Sequence, residues 1–401
     1  MNAPLGLEEA QARLLALAPA LPSETVPAEI AVGRFLAEDI CAARTQPAAD
    51  LSAMDGYALS PGDGPWALVG ESRAGAPYPG TLAPGQCARI STGAIVPTGA
   101  DRVLLQEDAA PAGDTVTATD LPPLGRHIRA RGFDFQEGDL LLAKATRITP
   151  GRLALALTGG HGQLLVTRRV RVAVMDSGDE LASDPAQCLP HQIPASNAAM
   201  IAAMLSELGC EVTRIGPVPD DHAALAAALA EVADSDILIT SGGASVGDHD
   251  LIKPALADWG AQTAFWRVAI KPGKPLLVAT RPRVGGAQVI LGLPGNPVSS
   301  FVTAFLFALP LVRASMGDPD PLPRAVTMLA GEALPANGPR REFLRAASAK
   351  EKGGGEVRLA GSQDSSALSA LAAADCLIDR PAHADAVTAG ETVRVFMLRN
   401  G

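Results

Sequence analysis

The stretch that most constrains the fold is a hydrophobic strand that runs directly into a glycine-rich turn and then into acidic residues, DILITSGGASVGDHDLIK at 236–253. Its apolar run at 237–239 does not alternate, as is typical of a strand buried on both faces of a parallel sheet. Ser241, Gly242 and Gly243 follow, and glycine lets backbone N–H groups approach a ligand closely. The sequence therefore predicts an α/β sheet with a strand end that can cradle phosphate oxygens.

Two carboxylates close the same stretch, because Gly247 is followed by Asp248, His249 and Asp250 before a helical pattern begins at Leu251. Aspartate oxygens at this position could bridge a magnesium ion to a bound phosphate. The alternative is a tight strand-to-helix loop in which an aspartate only caps the helix. The stretch alone leaves both interpretations open.

Composition and charge limit the class of protein. The 401 residues exceed one ordinary domain and suggest roughly two to four units. With a net charge of −10 and no long Lys/Arg run, the chain does not fit a duplex nucleic-acid binder. The five cysteines form no CxxC pair and are odd in number, which favours reduced thiols in a cytosolic protein.

No stretch has the pattern of a signal peptide or a membrane span. Glu8 and Glu9 precede the first apolar residues, and a basic n-region is lacking. The longest apolar run, residues 301–312, is interrupted by Thr303 and Pro310 and is shorter than the roughly 20 residues that span a bilayer. We therefore expect a soluble, cytoplasmic protein, with no membrane partner, in which this run forms a buried helix.

Changes in residue pattern predict four domains. Helical spacing over residues 7–18 and 28–40 begins the chain, a Pro- and Gly-rich segment with short β-prone runs follows, and the period becomes βαβ from Arg168. Beyond Gly317 short strands return, as is typical of a β barrel or sandwich. The expected domains are a discontinuous N-terminal one at 1–45 plus 139–167, a small mostly-β one at 46–138, an α/β one at 168–317 and a β one at 318–401.

Three loops of the small β domain carry residues suited to a ligand. Asp55 lies in an Asp-Gly turn, and Thr92 lies in a glycine-punctuated loop that exposes hydroxyls and backbone amides. Arg129 belongs to the densest positive charge of the chain, just before Asp134, where an anion could bind. Each loop has a purely structural alternative, as a turn or a solvated edge.

Strand ends of the α/β domain carry further acidic and capping residues. Glu180 follows the predicted strand at 170–174, at the edge where open α/β sheets bind ligands. Ser196 and Asn197 are predicted to cap the next helix. Asp220 is most simply the cap of the alanine-rich helix that follows it, with a ligand role as the alternative.

Two later loops are suited to anions. Lys271 and Lys274 stand in the turn Lys-Pro-Gly-Lys-Pro, where two prolines and a glycine hold two ammonium groups together. The second loop, residues 294–297, leads into a helix whose first free N–H groups attract negative charge. A plain connector is the alternative for each.

Several chemistries are excluded by the absence of their motifs. The chain has no Gly-x-Ser-x-Gly, no GxxxxGK[ST], no HExxH and no zinc-type Cys/His spacing. Carboxylates, lysines and backbone amides at strand ends remain, and together they suit a magnesium-bound, phosphorylated ligand.

Seven ordered motifs show a resemblance to a known family. The chain resembles the molybdopterin molybdenumtransferase family, which includes MoeA and the gephyrin E domain, over about residues 30–315 and more loosely to its end. The motifs are MDGYA, RISTGAIVPTGADRV, IRARGFD, SGDEL, ITSGGASVGDHD, FWRVAIKPGKP and LGLPGNPVSS.

The resemblance implies a fold and a reaction. The fold is a multidomain α/β and β one: a molybdenum-cofactor-binding βαβ domain with a parallel-rich sheet, a small mostly-β lid domain, a discontinuous N-terminal linker domain and a C-terminal β-barrel-like domain. The reaction is that of a transferase that uses Mg²⁺, inserts molybdate into adenylylated molybdopterin and releases AMP. The partners implied are these small molecules, a second copy of the chain in an elongated homodimer, and, as protein partners, the adenylyltransferase and downstream molybdoenzyme maturation proteins.

The family's functional residues can be carried over onto the matching motifs. The acidic residues that handle metal or activate the cleaving water would be Asp55, Glu180 and Asp250. Thr92 and the lysines that hold molybdate or phosphate, Lys271 and Lys274, complete the implied catalytic set. The remaining ligand contacts implied are Ser241, Gly242, Gly243, Ser245, Gly247, Asp248, Asp220, Arg129, Asp134, Pro294, Gly295, Asn296, Pro297 and Ser365.

Two departures from the family pattern limit this transfer. The family usually has a Tyr-Asp pair before Ser196, where this chain has Pro194 and Ala195. The family's Ser-Thr-Gly-Asp-Glu-Leu begins here with Asp176, which we expect to add a negative charge beside the implied metal.

Two other functions stay open at the level of sequence. A molybdopterin adenylyltransferase shares the βαβ fold but lacks the MDGYA-bearing β domain. A non-catalytic cofactor-binding scaffold, as gephyrin is for receptors, would keep the fold without the reaction. Release of AMP only in the presence of molybdate would separate the transferase from both.

Overall fold

A computed structural model gives the fold, in which the chain divides into two compact units. Unit 1 comprises Met1–Glu24, Gly33–Phe35 and Val166–Gly401, and unit 2 comprises Thr25–Val32 and Leu36–Leu165. The four-domain division inferred from the sequence is finer than these units and stays a prediction. The residues that the structure describes are 4–242, 251–349 and 355–398.

Unit 1 contains a six-stranded mixed sheet, here called the central sheet. The strand predicted to be buried on both faces, Ile237–Ser241, lies inside it, and all of its residues are buried. The first four strands in spatial order are parallel, and each of the last two is antiparallel to the strand before it. The order is Glu211–Val218, Arg171–Ser177, Ile237–Ser241, Gly286–Leu293, Leu277–Arg283 and Gln262–Trp266.

Helices cover both faces of the central sheet, because successive strand residues point to opposite sides. Val172 and Val174 belong to one apolar core, whereas Ala173 and Met175 belong to a second core on the other face. The sheet is therefore the middle of three layers. The helices on the first face are Leu7–Leu15, Asn197–Ser206, Pro297–Thr303 and Leu309–Ser315, and those on the second are His222–Glu231 and Ile252–Asp258.

The long apolar run is a buried helix, as the sequence predicted, but it is longer than the run itself. It extends over Pro297–Ser315, 19 residues, and 83% of its most apolar window is buried inside the protein. Within the described part of the chain it is the one helix long and apolar enough to cross a membrane. A π-helical turn at Ala304–Ala308 lets the helix continue through Pro310.

The C-terminal part of unit 1 is a closed barrel of five strands, which decides between the predicted barrel and sandwich. Strand Arg341–Ser348 pairs on both sides and closes the ring. The short strand Ile270–Lys271 adds to it in parallel from outside the ring. A helix, Leu368–Ala373, lies between the third and fourth barrel strands in chain order. The barrel strands are Ala325–Ala330, Arg341–Ser348, Glu356–Leu359, Cys376–Arg380 and Thr392–Met397.

Unit 2 is mostly β, as predicted. Its main sheet has a core around Trp66, which is fully buried. The strands of that sheet, in spatial order, are Arg102–Leu105, Gly56–Leu59, Gln86–Ile90, Trp66–Ser72, Thr115–Ala118 and Ala109–Ala112. Two-stranded pairs of this unit join Ile40–Cys41 with Leu140–Leu142, and Leu51–Ser52 with Ile128–Arg129. A third pair, Ser23–Pro27 with Gln163–Thr167, has residues in both units.

The helix expected over residues 28–40 is wrong. Only a short 3₁₀ turn, Ala28–Ala31, forms there. Gly33 then adopts a φ of +86°, which a helix does not allow, and the chain continues towards strand Ile40–Cys41. Helix Pro150–Thr158 is the regular helix of this unit among the described residues.

Candidate functional site

The strand order creates a switch point at the carboxyl edge of the central sheet. From Arg171–Ser177 the chain goes first to the strand on one side, Glu211–Val218, and later to the strand on the other side, Ile237–Ser241. Open α/β sheets bind ligands in the crevice at such a point. Asp176 and Ser241 are register partners there, so two of the loops singled out in the sequence leave the sheet side by side.

Gly242 has the backbone that the glycine-rich turn predicts. Its φ is +97°, and a Cβ atom at this position would come within 2.6 Å of the carbonyl oxygen of Ser177. No other residue fits there without moving the backbone. Five residues of the predicted site lie outside the described part of the chain, and their roles stay predictions: Gly243, Ser245, Gly247, Asp248 and Asp250.

Asn197 joins two of the predicted loops. Its Nδ2 atom donates to the Oγ atom of Ser241 at 2.9 Å and to the carbonyl oxygen of Gly295 at 2.7 Å. One amide thus holds the Ser-Gly-Gly turn next to the Pro-Gly-Asn-Pro loop. The sequence identified Asn197 only as part of a helix cap.

Asp176, rather than Ser196, caps the helix Asn197–Ser206. The Ser196 side chain makes no capping hydrogen bond, whereas both carboxylate oxygens of Asp176 accept the N–H of Ala198, at 3.1 and 3.0 Å. Burial raises the pKa of Asp176, against the lowering effects of the Ala198 N–H and of Arg214. The extra negative charge expected here therefore faces a helix N-terminus, which favours anions.

Glu180 lies in the exposed turn after strand Arg171–Ser177. Its carboxylate folds back over Gly178, where a Cβ atom would lie 2.4 Å from Oε2. Gly178 has a φ of +148°, so the absence of a side chain both permits the turn and makes room for the carboxylate. The local sequence Ser-Gly-Asp-Glu thus fixes where Glu180 can stand.

The cap predicted at Asp220 is one residue out of place. Asp221 caps the helix His222–Glu231, because its side chain accepts the N–H of Ala224 at 2.9 Å. The Asp220 backbone N–H donates to the Oδ1 atom of Asp179 at 3.1 Å, which ties this loop to the turn that carries Glu180. A ligand role for Asp220 stays a prediction.

The Lys-Pro-Gly-Lys-Pro loop packs tightly against the long helix. Gly273 has a φ of +101°, and a Cβ atom there would come within 2.5 Å of the Cγ2 atom of Thr303. The same loop begins with the short strand that pairs with barrel strand Arg341–Ser348, with Ile270 opposite Arg341 and Lys271 opposite Glu342. The Nζ atom of Lys271 lies 2.6 Å from Oε1 of Glu342. The loop is therefore held by both the helix and the barrel.

A cavity of about 450 Å³, here called the cationic pocket, lies between this loop and the barrel. Four cationic side chains line it, and Ser299 near the start of the long helix lines it too. Two carboxylates, Glu342 and Asp364, also face it. The four cationic side chains are Lys271, Lys274, Arg340 and Arg345.

Arg345 is held almost fully buried in the wall of the cationic pocket, with 1% of its surface exposed. Its Nη2 atom donates to the carbonyl oxygens of Ser362 and Asp364, at 2.8 and 3.1 Å, while its Nε atom has no partner among the described residues. Burial lowers the pKa of Arg345, and Asp364 and Glu342 oppose this. A buried guanidinium with a free donor is suited to an incoming anion.

Gln363 fastens the terminal loop beside Arg345. Its side-chain amide accepts the Arg345 backbone N–H at 2.9 Å and donates to the Arg345 carbonyl at 3.0 Å, as a neighbouring strand would. Ser365 of this loop accepts from Nδ2 of Asn296 at 3.0 Å, and its carbonyl accepts the N–H of Val298 at 3.2 Å. The predicted loop of residues 294–297, which includes Pro294, Gly295 and Pro297, therefore meets the predicted Ser365.

Unit 2 brings together three of its predicted loops. Oδ1 of Asp55 accepts both the backbone N–H and the hydroxyl of Thr92, at 2.6 and 3.0 Å. These two bonds, and the charge of Arg89, lower the pKa of Asp55. The short strand that contains Arg129 pairs with Leu51–Ser52 just before this turn. Asp134 is exposed, and its backbone N–H donates to the carbonyl of Gln46.

The described residues contain no ready-made cluster of metal-ligating side chains. Within 4–242, 251–349 and 355–398 no three His, Cys, Asp or Glu side chains come close enough together to hold a metal ion. Of the three metal ligands that the resemblance implies, Asp55 belongs to unit 2, Glu180 belongs to unit 1 and Asp250 is not described.

Comparison with known proteins gives the family. Three family models match in order: the MoeA N-terminal region (domain I and II) at residues 5–160, a probable molybdopterin binding domain at 173–314, and the MoeA C-terminal region (domain IV) at 327–398. The molybdopterin molybdenumtransferase of Haemophilus influenzae is 34% identical over 98% of both chains. The chain belongs to the molybdopterin molybdenumtransferase family. Molybdopterin molybdenumtransferase 2 of Mycobacterium tuberculosis is 36% identical over 93% of this chain and 95% of its own.

Solved structures share the fold of this molybdopterin molybdenumtransferase family member. A crystal structure of the molybdopterin biosynthesis MoeA protein of Pyrococcus horikoshii is 27% identical, with a TM-score of 0.80 and 99% of both chains covered. Another crystal structure of a molybdopterin biosynthesis MoeA protein, from Pyrococcus horikoshii OT3, is 24% identical and has a TM-score of 0.83. The multidomain α/β and β fold class inferred from the sequence, with its barrel, is thereby confirmed.

The sequence did not single out Arg340, Glu342 or Arg345 as site residues, and it indicated Gln363 only as part of a polar loop. The first three lie in the segment RREFLR, whose pattern predicts only a strand. Three arginines beside an apolar strand face are a signal of a buried cation, but nothing local shows that they meet Lys271. That meeting depends on the pairing of two segments far apart in the chain.

Proposed function

We propose that this chain inserts molybdenum from molybdate into adenylylated molybdopterin and releases AMP, in molybdenum cofactor biosynthesis. Family membership supports the proposal, because relatives that match over nearly the whole chain carry the name molybdopterin molybdenumtransferase. The single structural observation that carries it is the cationic pocket, in which the predicted Lys271 and Lys274 face Arg345 and Ser365.

The charge in the cationic pocket suits a tetrahedral dianion such as molybdate. Four cationic side chains stand against two carboxylates, which leaves a net charge of +2 before a ligand arrives. Molybdate would neutralise this excess. Breaking the adenylate link beside an incoming oxyanion gathers negative charge, and cations already fixed in place offset it without reorganisation. Water would supply the oxygen needed to separate AMP from the pterin phosphate. The two dithiolene sulfurs would bind molybdenum in place of one oxide, which leaves as water with the two thiol protons.

We assign the adenylylated pterin to the carboxyl edge of the central sheet. The Ser241 turn and the Gly295 loop, which Asn197 holds together, lie at the switch point where open α/β sheets bind ligands. Glu180 stands on the neighbouring turn, where its carboxylate would orient water or a cation.

The test is AMP release from adenylylated molybdopterin by the purified full-length protein, measured by chromatography. We expect release only when molybdate and Mg²⁺ are both present. AMP output that is unchanged without molybdate would contradict the proposal. Consumption of ATP and molybdopterin with release of pyrophosphate would instead identify an adenylyltransferase, and no turnover with intact pterin binding would identify a scaffold.

A first variant tests the pocket itself. Lys274→Gln removes one cation while keeping a polar side chain, so we expect the KM for molybdate to rise about tenfold or more, the usual worth of a charge-assisted contact. Lys144→Gln, at an exposed position of unit 2, is the control and should leave KM unchanged. If both variants have the same KM for molybdate, molybdate does not bind in the cationic pocket.

We also propose, from the family resemblance, that the protein acts as a homodimer in the cytoplasm. Light scattering coupled to gel filtration should give twice the chain mass of 41.0 kDa. A monomer that retains full activity would overturn the dimer proposal without affecting the proposed reaction.

A further inference from the structure

One carboxylate in the cationic pocket has no part in the reaction proposed above. Glu342 is largely buried, with 17% of its side chain exposed, and its Oε1 atom lies 2.6 Å from Nζ of Lys271. The other carboxylate of the pocket, Asp364, is committed elsewhere, since its Oδ1 atom accepts the N–H and the hydroxyl of Ser366. Glu342 is therefore the carboxylate that forms an ion pair with a cation of the pocket, Lys271.

Backbone pairing holds Glu342 in this position. Lys271 and Glu342 are register partners in adjoining parallel strands, so their side chains leave the sheet on the same face. Strand pairing therefore places the Glu342 side chain next to that of Lys271, which is itself 53% exposed. This placement follows from the strand that connects the Lys-Pro-Gly-Lys-Pro loop to the barrel.

The ion pair also stands at a boundary between two cavities. A second cavity, of about 420 Å³, lies along the barrel beside residues 335–340 and Arg380. The residues that line both cavities are Lys271, Arg340, Glu342, Leu344 and Gln363. An oxyanion in either cavity would border the Glu342 carboxylate.

We propose that Glu342 is an internal counter-anion that competes with the substrate oxyanion for Lys271 and so keeps oxyanion binding weak and reversible. The inference rests on the proposed function, in which the cationic pocket takes molybdate. When a dianion enters, it must share Lys271 with Glu342 and accept a carboxylate nearby. When the dianion leaves, Glu342 takes Lys271 back.

Weak binding of the oxyanion is an advantage for this reaction. Molybdenum must leave the pocket for the pterin sulfurs, and an enzyme gains nothing from holding the ground state more tightly than the transition state. Without Glu342, four cations would face one carboxylate, and the pocket would bind any dianion more firmly, including sulfate. Glu342 lowers that affinity without removing a cation that the reaction needs.

The test is calorimetric titration of the full-length protein with molybdate and, separately, with sulfate. Glu342→Gln frees Lys271, so we expect both oxyanions to bind about fivefold more tightly, the upper range for a partly exposed ion pair. Lys271→Gln should bind both more weakly. In the Glu342→Gln, Lys271→Gln double variant the gain from the glutamine should shrink, because Glu342 acts most strongly through Lys271, at 2.6 Å, and less through Arg345.

Turnover gives a second readout that a merely structural role would not move in the same direction. Glu342→Gln should lower the KM for molybdate and also lower kcat, whereas damage to the barrel would raise KM. Glu342→Asp, which keeps the charge on a shorter side chain, should lie between the native protein and the glutamine variant. Glu356→Gln is the control, since Glu356 pairs with Arg358 on the barrel and lines neither cavity.

The outcomes separate the two proposals. Unchanged or weaker oxyanion binding by Glu342→Gln, in a protein whose native form binds molybdate, would overturn the counter-anion. A native protein that binds neither oxyanion in the pocket would overturn the proposed function first.

Discussion

Asp176 is a buried carboxylate whose position is set by the helix that it caps. It accepts the Ala198 N–H with both oxygens, yet burial raises its pKa. A raised pKa in the folded protein means that the neutral acid is favoured relative to the unfolded chain. The stability that this group contributes is therefore fully present below the unfolded pKa of about 4 and is lost as pH rises through the folded pKa.

Asp176→Asn removes the charge but keeps an oxygen that can accept the Ala198 N–H. Relative to the native chain, we expect the variant to gain stability as pH rises from about 4 towards neutrality, because it has no buried charge to create. Urea unfolding at several pH values measures this. Asp221→Asn makes the same change at the exposed cap of the next helix along the chain and is the matched control for the substitution itself. A native protein that gains stability over Asp176→Asn across this range would contradict the argument.

The Asn197 side chain holds two loops together at the carboxyl edge of the central sheet. Asn197→Ala deletes the two hydrogen bonds to Ser241 and Gly295, so we expect the free energy of unfolding to fall by about 2 kcal/mol. Because both partner loops are assigned to the pterin, we also expect the KM for adenylylated molybdopterin to rise while the KM for molybdate stays the same. A rise in both KM values would show that the two loops and the cationic pocket are not separable.

Site residues could be predicted from the sequence where their signal lies in a few neighbouring residues. They could not be predicted where it depends on tertiary contacts. Gly242 and Gly273 were recognisable because a strained turn needs glycine whatever surrounds it. Asp55 and Thr92 were each recognised in their own loop, but their hydrogen bond joins two loops. The Arg345 site could not be predicted, since it depends on barrel closure and not on any nearby motif.

At the scale of elements, the long helix contains a proline, and another helix supplies the hydrogen bond that this proline cannot donate. Pro310 has no N–H, so an α-helical pattern would leave the Leu306 carbonyl without its donor. The buried Gln11 of helix Leu7–Leu15 supplies one, with Nε2 at 2.9 Å from that carbonyl. The π-helical turn at Ala304–Ala308 lies at the same place. The N-terminal helix thus completes the hydrogen bonding of the core helix.

Gln11→Met keeps the length of the side chain but removes the donor. We expect a loss of about 1–3 kcal/mol in the free energy of unfolding, because a buried carbonyl loses its partner. In a Pro310→Ala background the loss should be smaller, since an alanine at this position would restore a backbone N–H. Chemical denaturation of the four proteins gives the coupling. Glu9→Gln, on the exposed face of the same helix, should change stability by no more than about 0.5 kcal/mol.

The Lys-Pro-Gly-Lys-Pro loop owes its position to the lack of a side chain at Gly273. Gly273→Ala would push against the Thr303 methyl group and strain a backbone at φ +101°. We expect a stability loss of about 1–3 kcal/mol together with weaker molybdate binding in calorimetry. Gly151→Ala, where the added methyl group meets open space, is the matched control. Normal molybdate binding by Gly273→Ala would show that the loop tolerates displacement.

At the scale of the whole molecule, the two edges of the central sheet have different tasks. The carboxyl edge carries the loops assigned to the ligand. The amino edge carries Asp236, fully buried, with Arg168 at 3.0 Å, the Arg171 N–H at 2.8 Å and Arg283 as a third partner. Removing one member of such a buried cluster leaves unpaired charge.

Asp236→Asn should therefore lower the free energy of unfolding by about 3 kcal/mol or more. Because the cluster lies at the edge away from the ligand loops, we expect kcat and KM of the folded fraction to stay native. Denaturation and steady-state assays on the same preparation check both halves. Asp258→Asn, at an exposed acid of the same sheet domain, should be close to neutral. A change in kcat or KM without a loss of stability would contradict the assignment of Asp236 to stability rather than to ligand binding.

Fold class was predictable at this scale because its signals repeat along the chain. The βαβ period and the short C-terminal strands each recur over many residues, so single errors, such as the helix expected at 28–40, do not alter the result. How the segments pair is a different matter. The antiparallel edge of the central sheet and the strand that Ile270–Lys271 adds to the barrel follow from tertiary packing.

Because strand Ile270–Lys271 pairs with the barrel, the barrel and the Lys-Pro-Gly-Lys-Pro loop form one structural unit. An exchange of barrels between relatives that cut the chain after the long helix would leave the loop with a foreign neighbour, and Lys271 would face whatever residue the new barrel offered in place of Glu342. A graft that carried residues 269–275 along with the barrel would transplant the pair intact. The boundary for such an exchange therefore does not coincide with the end of the long helix, where the chain passes from the α/β part to the barrel.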